Sequence, residues 1–318
     1  MRCIGLRYFR YCRTSENSKL NVTKKDGYKM TRKNIKTLRN TKFLNNIIQG
    51  DTLEEMAKMP SGTVDMLLVD LPYGTTQNKW DSLIPLDKLW TEYNRIIKQN
   101  GAMIFTASGL FTANLMLSNS KNYKYKYVWE KSKPTNFLNA KKQPLRKHED
   151  ILVFYRRQPY YCPQMKQGEP YTKGLRKNQL TGSYGEFNPT LVQSNGERYP
   201  VDVLYFKTAE SEGKVFHPTQ KPVELARYLI RTFSKAGDVI LDNTCGAGSF
   251  LVAAILEGRN FIGIEKNEDV ALFKNEPVDY IEISKKRIKE AVIQIKSGGD
   301  LGLFAKLEPV NLLEDLEI

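Results

Sequence analysis

Val64-Asp65-Met66-Leu67-Leu68-Val69-Asp70-Leu71-Pro72-Tyr73-Gly74 is the stretch on which the reading of this 318-residue chain turns. Apolar β-formers run without alternation into an acid, a proline, an aromatic ring and a glycine. An unbroken apolar run bounded by turn residues predicts a parallel strand buried on both faces. Such a strand sets Asp70 and Tyr73 at the carboxyl edge of an open α/β sheet, where these folds hold their ligands. Pro72 lacks a backbone donor and stiffens the turn, so nearby carbonyls can accept hydrogen bonds. A carboxylate, a carbonyl and a ring in that order suit an N–H group carried on a flat ring. On this segment alone, an ordinary strand end followed by a turn is an equal alternative.

Working outward, the flanking sequence has the βαβ rhythm. Residues 43–51 predict a short edge strand, and Asp51 or Thr52 caps a helix with acids in its first turn. After Gly74 comes a polar loop to Asp81. Leu89, Trp90, Tyr93, Ile96 and Ile97 then share one helix face, with Gly101 as the helix stop and Ala102–Thr106 as the next strand. Residues 121–127 alternate lysine with tyrosine, which predicts an edge strand with one basic face. A lysine-rich loop follows at 141–147, then a strand at 151–155. Residues 156–215 show little periodicity yet are rich in aromatic and basic residues, so they predict an inserted functional unit rather than a linker.

A second constellation lies in the last third. Asp238–Asp242 reads as a strand, Asn243-Thr244-Cys245-Gly246-Ala247-Gly248 as a tight turn, Ser249–Leu256 as a helix stopped by Gly258, and Asn260–Glu265 as the next strand. Strand, glycine turn, helix, strand and acid together make a nucleoside-binding unit, with Glu265 placed to accept from ribose hydroxyls. Leu251 stands where a dinucleotide site needs its third glycine, which favours a nucleoside without phosphates over NAD. A helix over 222–233 precedes this unit, and a long helix over 280–295 follows it.

Charge and composition narrow the partners. The formal net charge is +14. Residues 1–40 and 121–215 are strongly basic, whereas the rest of the chain is mildly acidic, so particular segments are expected to hold a polyanion. No window approaches the ~20 apolar residues of a membrane span. Cys3, Cys12, Cys162 and Cys245 lack the spacing of a zinc site, and the two histidines lie far from them, so no metal site is expected. They read as free thiols in a reducing compartment. Residues 1–40 read as a flexible basic arm and the last 20 as a tail. The acid-free first 15 residues also allow an organelle transit peptide, and Met30 an alternative start.

With both constellations in place, the chain resembles the amino-group DNA methyltransferases whose catalytic motif precedes the cofactor motif, the β arrangement. That family's Asp-Pro-Pro-Tyr matches Asp70-Leu71-Pro72-Tyr73. Its Asp-Pro-Phe-x-Gly-x-Gly-Thr loop matches Asp242 to Ser249, with Asn243 and Thr244 where the family has Pro-Phe. His217-Pro218-Thr219-Gln220-Lys221-Pro222 and Glu265 match two further motifs, and the segments 129–131 and 147–149 also look like the family's. The likeness covers about 45–297 and is closest to adenine-specific members from phage and restriction–modification systems.

The resemblance implies a Rossmann-like class I methyltransferase sheet with helices on both faces, a catalytic domain over 41–297 and a target-recognition insert at about 156–215. It implies S-adenosyl-L-methionine as cofactor, double-stranded DNA as substrate and a flipped adenine methylated at N6, with N4-cytosine as the alternative. RNA methylation, a dehydrogenase and a DNA-binding protein with a lapsed site are the other readings. Asp70, Pro72 and Tyr73 would be catalytic. Asp70, Asp242, Thr244, Cys245, Gly246, Gly248, Glu265, Thr219 and Lys221 would hold the cofactor, and Lys131, Lys141, Lys142, Arg146 and Lys147 the DNA. No metal is needed. A cytoplasmic location in a bacterial or phage-infected cell, a monomer or homodimer, and a partner restriction endonuclease complete the expectation.

Overall fold

Met66, Leu67, Leu68 and Val69 are all fully buried, and they alternate between two separate cores. Met66 and Leu68 face one; Leu67 and Val69 face the other. This is why strand β2, Val64–Val69, is apolar without a break from Met66 to its end. The structure is a computed structural model that describes residues 37–38, 41–74, 81–174, 191–267, 272–273 and 276–297. Nearly all of the predicted arm (1–40) and all of the tail (298–318) lie outside those residues.

Further strands are β1 (Asn46–Gln49), β3 (Ile97–Ala107), β4 (Tyr123–Thr135), β5 (Arg146–Phe154), β6 (Lys166–Gln167), β7 (Tyr171–Lys173), β8 (Val192–Ser194), β9 (Glu197–Arg198), β10 (Val203–Phe206), β11 (Val239–Asp242) and β12 (Asn260–Glu265), followed by the small hairpin β13 (Leu272–Phe273) and β14 (Glu276–Pro277). The main sheet has eight strands in the order β1-β12-β11-β2-β3-β5-β4-β10. Only β5 runs against the others, since it is antiparallel to both β3 and β4 while the remaining pairs are parallel.

Helices α1 (Thr52–Ala57), α2 (Leu86–Ile96) and α3 (Leu110–Ser118) cover one face, contributing Met56, Leu89, Trp90, Tyr93, Phe111 and Leu115 to its core. Helices α4 (Val223–Phe233), α5 (Ser249–Leu256) and α6 (Tyr280–Lys296) cover the other with Leu225, Leu229, Phe250 and Ile288. Asp51 caps α1 by accepting from the amides of Leu53 and Glu54. This is the class I methyltransferase architecture.

Several expectations change. Gly101 is not a helix stop: α2 ends at Ile96, and Gly101 lies inside β3. A Cβ there would sit 2.8 Å from the Asp65 carbonyl, in a bulge that shifts the β2–β3 register between Val64 and Met66. The glycine thus marks a close backbone approach within the sheet. Strand β4 is an edge only in the predicted part: residues 123–127 pair with β5 alone and leave Lys124 and Lys126 exposed, while β10 covers Val128–Lys131. That pairing also narrows the insert. The chain divides into a main unit and a smaller unit, Pro163–Asp202, which carries two short ribbons, β6 with β9 and β7 with β8. Residues 156–162 and 203–215 belong to the main unit, the former tied to it by Arg156 on the Asn94 and Ile97 carbonyls and by the Cys162 amide on the Thr232 carbonyl.

Cysteines do not all stay free. Cys245 is a buried free thiol, whereas Cys162 is disulfide-bonded. Sequence spacing reports no spatial proximity, so it could not foresee this pairing. No helix among the described residues is long and apolar enough to cross a membrane.

Candidate active site

The two constellations meet because β2 and β11 are sheet neighbours, with Ile240 opposite Met66 and Leu241 opposite Leu67. Both strands end at the same edge, so Asp70 and the turn after Asp242 come side by side. The Thr244 hydroxyl donates to the Asp70 main-chain carbonyl at 3.0 Å.

The Asp70 carboxylate is held on both oxygens. Oδ1 accepts from the Tyr73 hydroxyl at 2.9 Å and from the Thr106 hydroxyl. Oδ2 accepts from Lys221 Nζ at 2.6 Å. Thr106 follows from sheet register: Val69 pairs with Phe105, so the next residues of the two strands emerge together. Lys221 arrives from the segment before α4. Its ammonium also lies 3.5 Å from Glu149 Oε2 and 5.6 Å from the centre of the Tyr73 ring. Burial by itself would lower the Lys221 pKa, but the Asp70 and Glu149 carboxylates outweigh burial and hold it above the usual lysine value. Burial, then the same two acids, push the Tyr73 phenol well up, so it is a neutral O–H donor. Phe111 stacks on Tyr73 with ring centroids 5.0 Å apart.

Glu149 closes the cluster. Its Oε1 meets Lys131 Nζ at 3.2 Å, while Oε2 is buried without a hydrogen-bond partner. Lys131 itself is only 4% exposed. The expectation that Lys131 contacts DNA is therefore corrected, because its cation is spent inside the site on Glu149. Lys141 and Lys142 are exposed on the connection from β4 to β5, and Arg146 and Lys147 are exposed at the start of β5, Lys147 with its charge paired to Glu130 at 2.8 Å.

Around the glycine turn, Glu265 Oε2 accepts from the Gly246 amide at 2.6 Å and Oε1 from the Asn267 amide at 3.3 Å. Asp242 is buried and accepts from the Thr244 amide at 3.3 Å. Burial, with the Asp70 and Glu265 charges adding, raises its carboxyl well above the ordinary range and favours the neutral acid. Asn243, in place of the family's proline, bridges Tyr93 Oη (2.8 Å) and Thr52 Oγ1 (2.6 Å) in the core. Gly248 has φ +72°, and a Cβ there would meet Ser284 Oγ at 2.9 Å. The close approach it permits is to α6, a protein neighbour. Cys245 packs its sulfur into the core, so its side chain is not at the turn's surface. Thr219 turns its amide and hydroxyl to His217 Nδ1, at 3.2 and 3.1 Å. The His217 ring, tilted over Tyr280, is brought down to about 4 by burial and by Lys221. It is an acceptor, not a proton carrier, near neutrality.

The Glu265 and Asp70 carboxylates near the turn disfavour a pyrophosphate and suit a ribose diol and a cationic sulfur, which fits S-adenosyl-L-methionine. Among the described residues, no group of three or more His, Cys, Asp or Glu could hold a metal ion.

The sequence pattern of the DNA methylase family, covering N6 and N4 methyltransferases, matches residues 64–276. The chain belongs to that family. It is an S-adenosyl-L-methionine-dependent DNA methyltransferase. It is 26% identical over 287 residues to the type II methyltransferase M.HinfI of Haemophilus influenzae, covering 78% of this chain and 69% of that one. It is 29% identical over 244 residues to the DNA adenine methyltransferase YhdJ of Escherichia coli strain K12, covering 70% and 79%. Among solved structures, the cytosine-N4-specific PvuII DNA methyltransferase aligns with a TM-score of 0.53 at 13% identity, covering 79% and 92%. That likeness speaks for the fold alone.

In this methyltransferase, Thr106, Phe111 and Glu149 are the site residues that sequence motifs did not assign. The signal for Thr106 was present, since it lies near the end of the strand after the motif strand. Glu149 sits in a segment with family likeness, but only the fold brings it to Lys221.

Proposed function

We propose that the methyltransferase methylates N6 of adenine in double-stranded DNA, on a base turned out of the helix. The observation that carries this reading is the Asp70 carboxylate, fixed beside Pro72 and tied through its own carbonyl to Thr244 of the cofactor turn. The name of the relative YhdJ, an adenine enzyme, supports the same base.

An aromatic amine is a poor nucleophile because its lone pair is shared with the ring. Asp70 and the Pro72 carbonyl accept its two hydrogens and turn the lone pair out of conjugation. When bound, S-adenosyl-L-methionine supplies a methyl on positively charged sulfur, which departs as a neutral thioether. Asp70 takes the proton that the nitrogen sheds after bonding to carbon. Tyr73 offers a ring face to the base, and stacking of ~1–3 kcal/mol offsets part of the cost of unstacking. Positioning and fixed charge supply most of the acceleration.

The amine needs Asp70 Oδ2, which carries Lys221 here. Glu149 Oε2 is the acceptor for the displaced ammonium: it is buried, lacks a hydrogen-bond partner and lies 3.5 Å away. Lys141, Lys142 and Arg146 are assigned to phosphates, and the unit Pro163–Asp202 to reading the target sequence.

The test is unmethylated plasmid DNA incubated with the protein and S-adenosyl-L-methionine, digested to nucleosides and weighed. N6-methyladenine is expected, and Asp70→Asn should remove it. N4-methylcytosine would move the reading to cytosine, and no modified base would leave only a binding role. Replacing 163–202 with the matching segment of a relative should change the methylated sequence; an unchanged sequence places recognition elsewhere.

A further inference from the structure

The most exposed large apolar side chains among the described residues include a neighbouring pair, Phe137 at 73% and Leu138 at 88%. They form the short 3₁₀ turn Phe137–Asn139 at the tip of the connection between β4 and β5. The tip is built rather than loose. Asn136 adopts φ +70°, its side chain accepts from Asn139 Nδ2 at 2.8 Å, and amides of Ala140, Lys142 and Gln143 close successive turns. The base of the hairpin is pinned where Ser132 Oγ accepts from the Thr208 amide at 3.0 Å.

Its direction follows from topology. Strand β4 runs parallel with the main strands, so it leaves the sheet at the edge that carries Asp70. Lys131, the last residue of β4 paired with β10, is joined through Glu149 to Lys221 and so to Asp70. Phe137 lies six positions beyond Lys131, a reach of about 20 Å at most for extended chain. A major groove is about 8.5 Å deep. Residues 132–147 contain Lys133, Lys141, Lys142, Arg146 and Lys147 and no acid. Two bare apolar side chains on a rigid tip, ringed by cations at the catalytic edge, match one partner: a duplex whose phosphates meet the cations and whose opened base step takes the apolar pair.

We propose that Phe137 and Leu138 are a wedge that enters the DNA stack at the step vacated by the target base. This rests on the reading that the methyltransferase acts on an everted base. The cations draw the hairpin onto the backbone, and the ring of Phe137 replaces stacking lost by the neighbours of the departed adenine.

The experiment uses the full chain and a duplex oligonucleotide carrying the methylated site, once modification-sensitive sequencing of treated plasmid has located it. The duplex is made in two forms, with the target adenine paired or mismatched. The variant Phe137→Ala/Leu138→Ala is compared with wild type and with Phe137→Trp. The wedge predicts at least a tenfold fall in methylation of the paired duplex for the double alanine variant. It predicts recovery to within about threefold of wild type on the mismatched duplex, whose base is already cheap to extrude. Phe137→Trp, which keeps a stacking ring, should stay near wild type on both. An equal loss on both duplexes, or no loss on either, overturns the wedge. If wild type methylates neither duplex, the underlying reading has failed instead.

Discussion

Thr244 Oγ1 donates to the carbonyl oxygen of Asp70 across 3.0 Å, joining residues 174 positions apart in the chain. One belongs to the strand end proposed to receive the base, the other to the turn proposed to receive the cofactor. Thr244→Val keeps the shape and removes the donor. A partly buried hydrogen bond contributes about 1 kcal/mol net, so Tm should fall by about 2–4 °C. Methyl transfer should fall with it, whereas Thr244→Ser should keep both. Thermal unfolding and single-turnover rates of the three proteins check this.

Glu149→Gln tests the reception of Lys221. The amide still accepts from Lys131, but it no longer attracts the ammonium away from Asp70. The kcat should drop tenfold or more, about 1.4 kcal/mol of barrier, with KM for DNA little changed. Glu149→Asp should restore part of kcat. An unchanged kcat with weaker DNA binding would place Glu149 in substrate binding alone.

Asp238, just before β11 and at the far end of that strand from Asp242, gives a pH signature separate from catalysis. Burial and the neighbouring Asp65 push its carboxyl up to about 7. Between about pH 4 and 7 the native state holds a proton that the unfolded chain has released, so this group costs stability as pH rises through that window. Asp238→Asn keeps an acceptor for the Lys235 amide, which Asp238 Oδ2 now meets at 2.8 Å. The variant should be more stable by about 1–3 kcal/mol at pH 8, with the gain shrinking toward pH 4. Urea unfolding at both pH values measures it, and methylation rates should not change.

Gly248→Ala sets a side chain at φ +72° and against Ser284, whose Oγ and Cβ would lie 2.9 and 3.0 Å from the new Cβ. The cost should be about 2 kcal/mol or more, seen as a lower Tm and weaker cofactor binding by calorimetry. Adding Ser284→Gly relieves the contact but not the backbone strain, so recovery should be partial.

Local pattern was enough for the parts of this protein whose burial repeats along the chain. The unbroken run 66–69 announced a strand covered on both faces, and Ser249–Leu256 and Asn260–Glu265 were legible to the residue because glycine and acid punctuate them. Asp70, Tyr73, Gly246 and Glu265 were marked by motif, since backbone turns and strand ends demand those residue types. Other features had no local mark. Gly101 reads as a stop in a helix pattern, yet its lack of a side chain answers to the Asp65 carbonyl on the next strand. Lys131 reads as one cation among many, and only the β4–β5 pairing, with Trp129 opposite Glu149, buries it against an acid. The set Asp70, Thr106, Glu149 and Lys221 comes from four separate segments and owes its geometry to strand order. Periodicity reports what a residue's near neighbours bury. It cannot report which distant charge will share the same dry space, and that is where the sheet decided the chemistry.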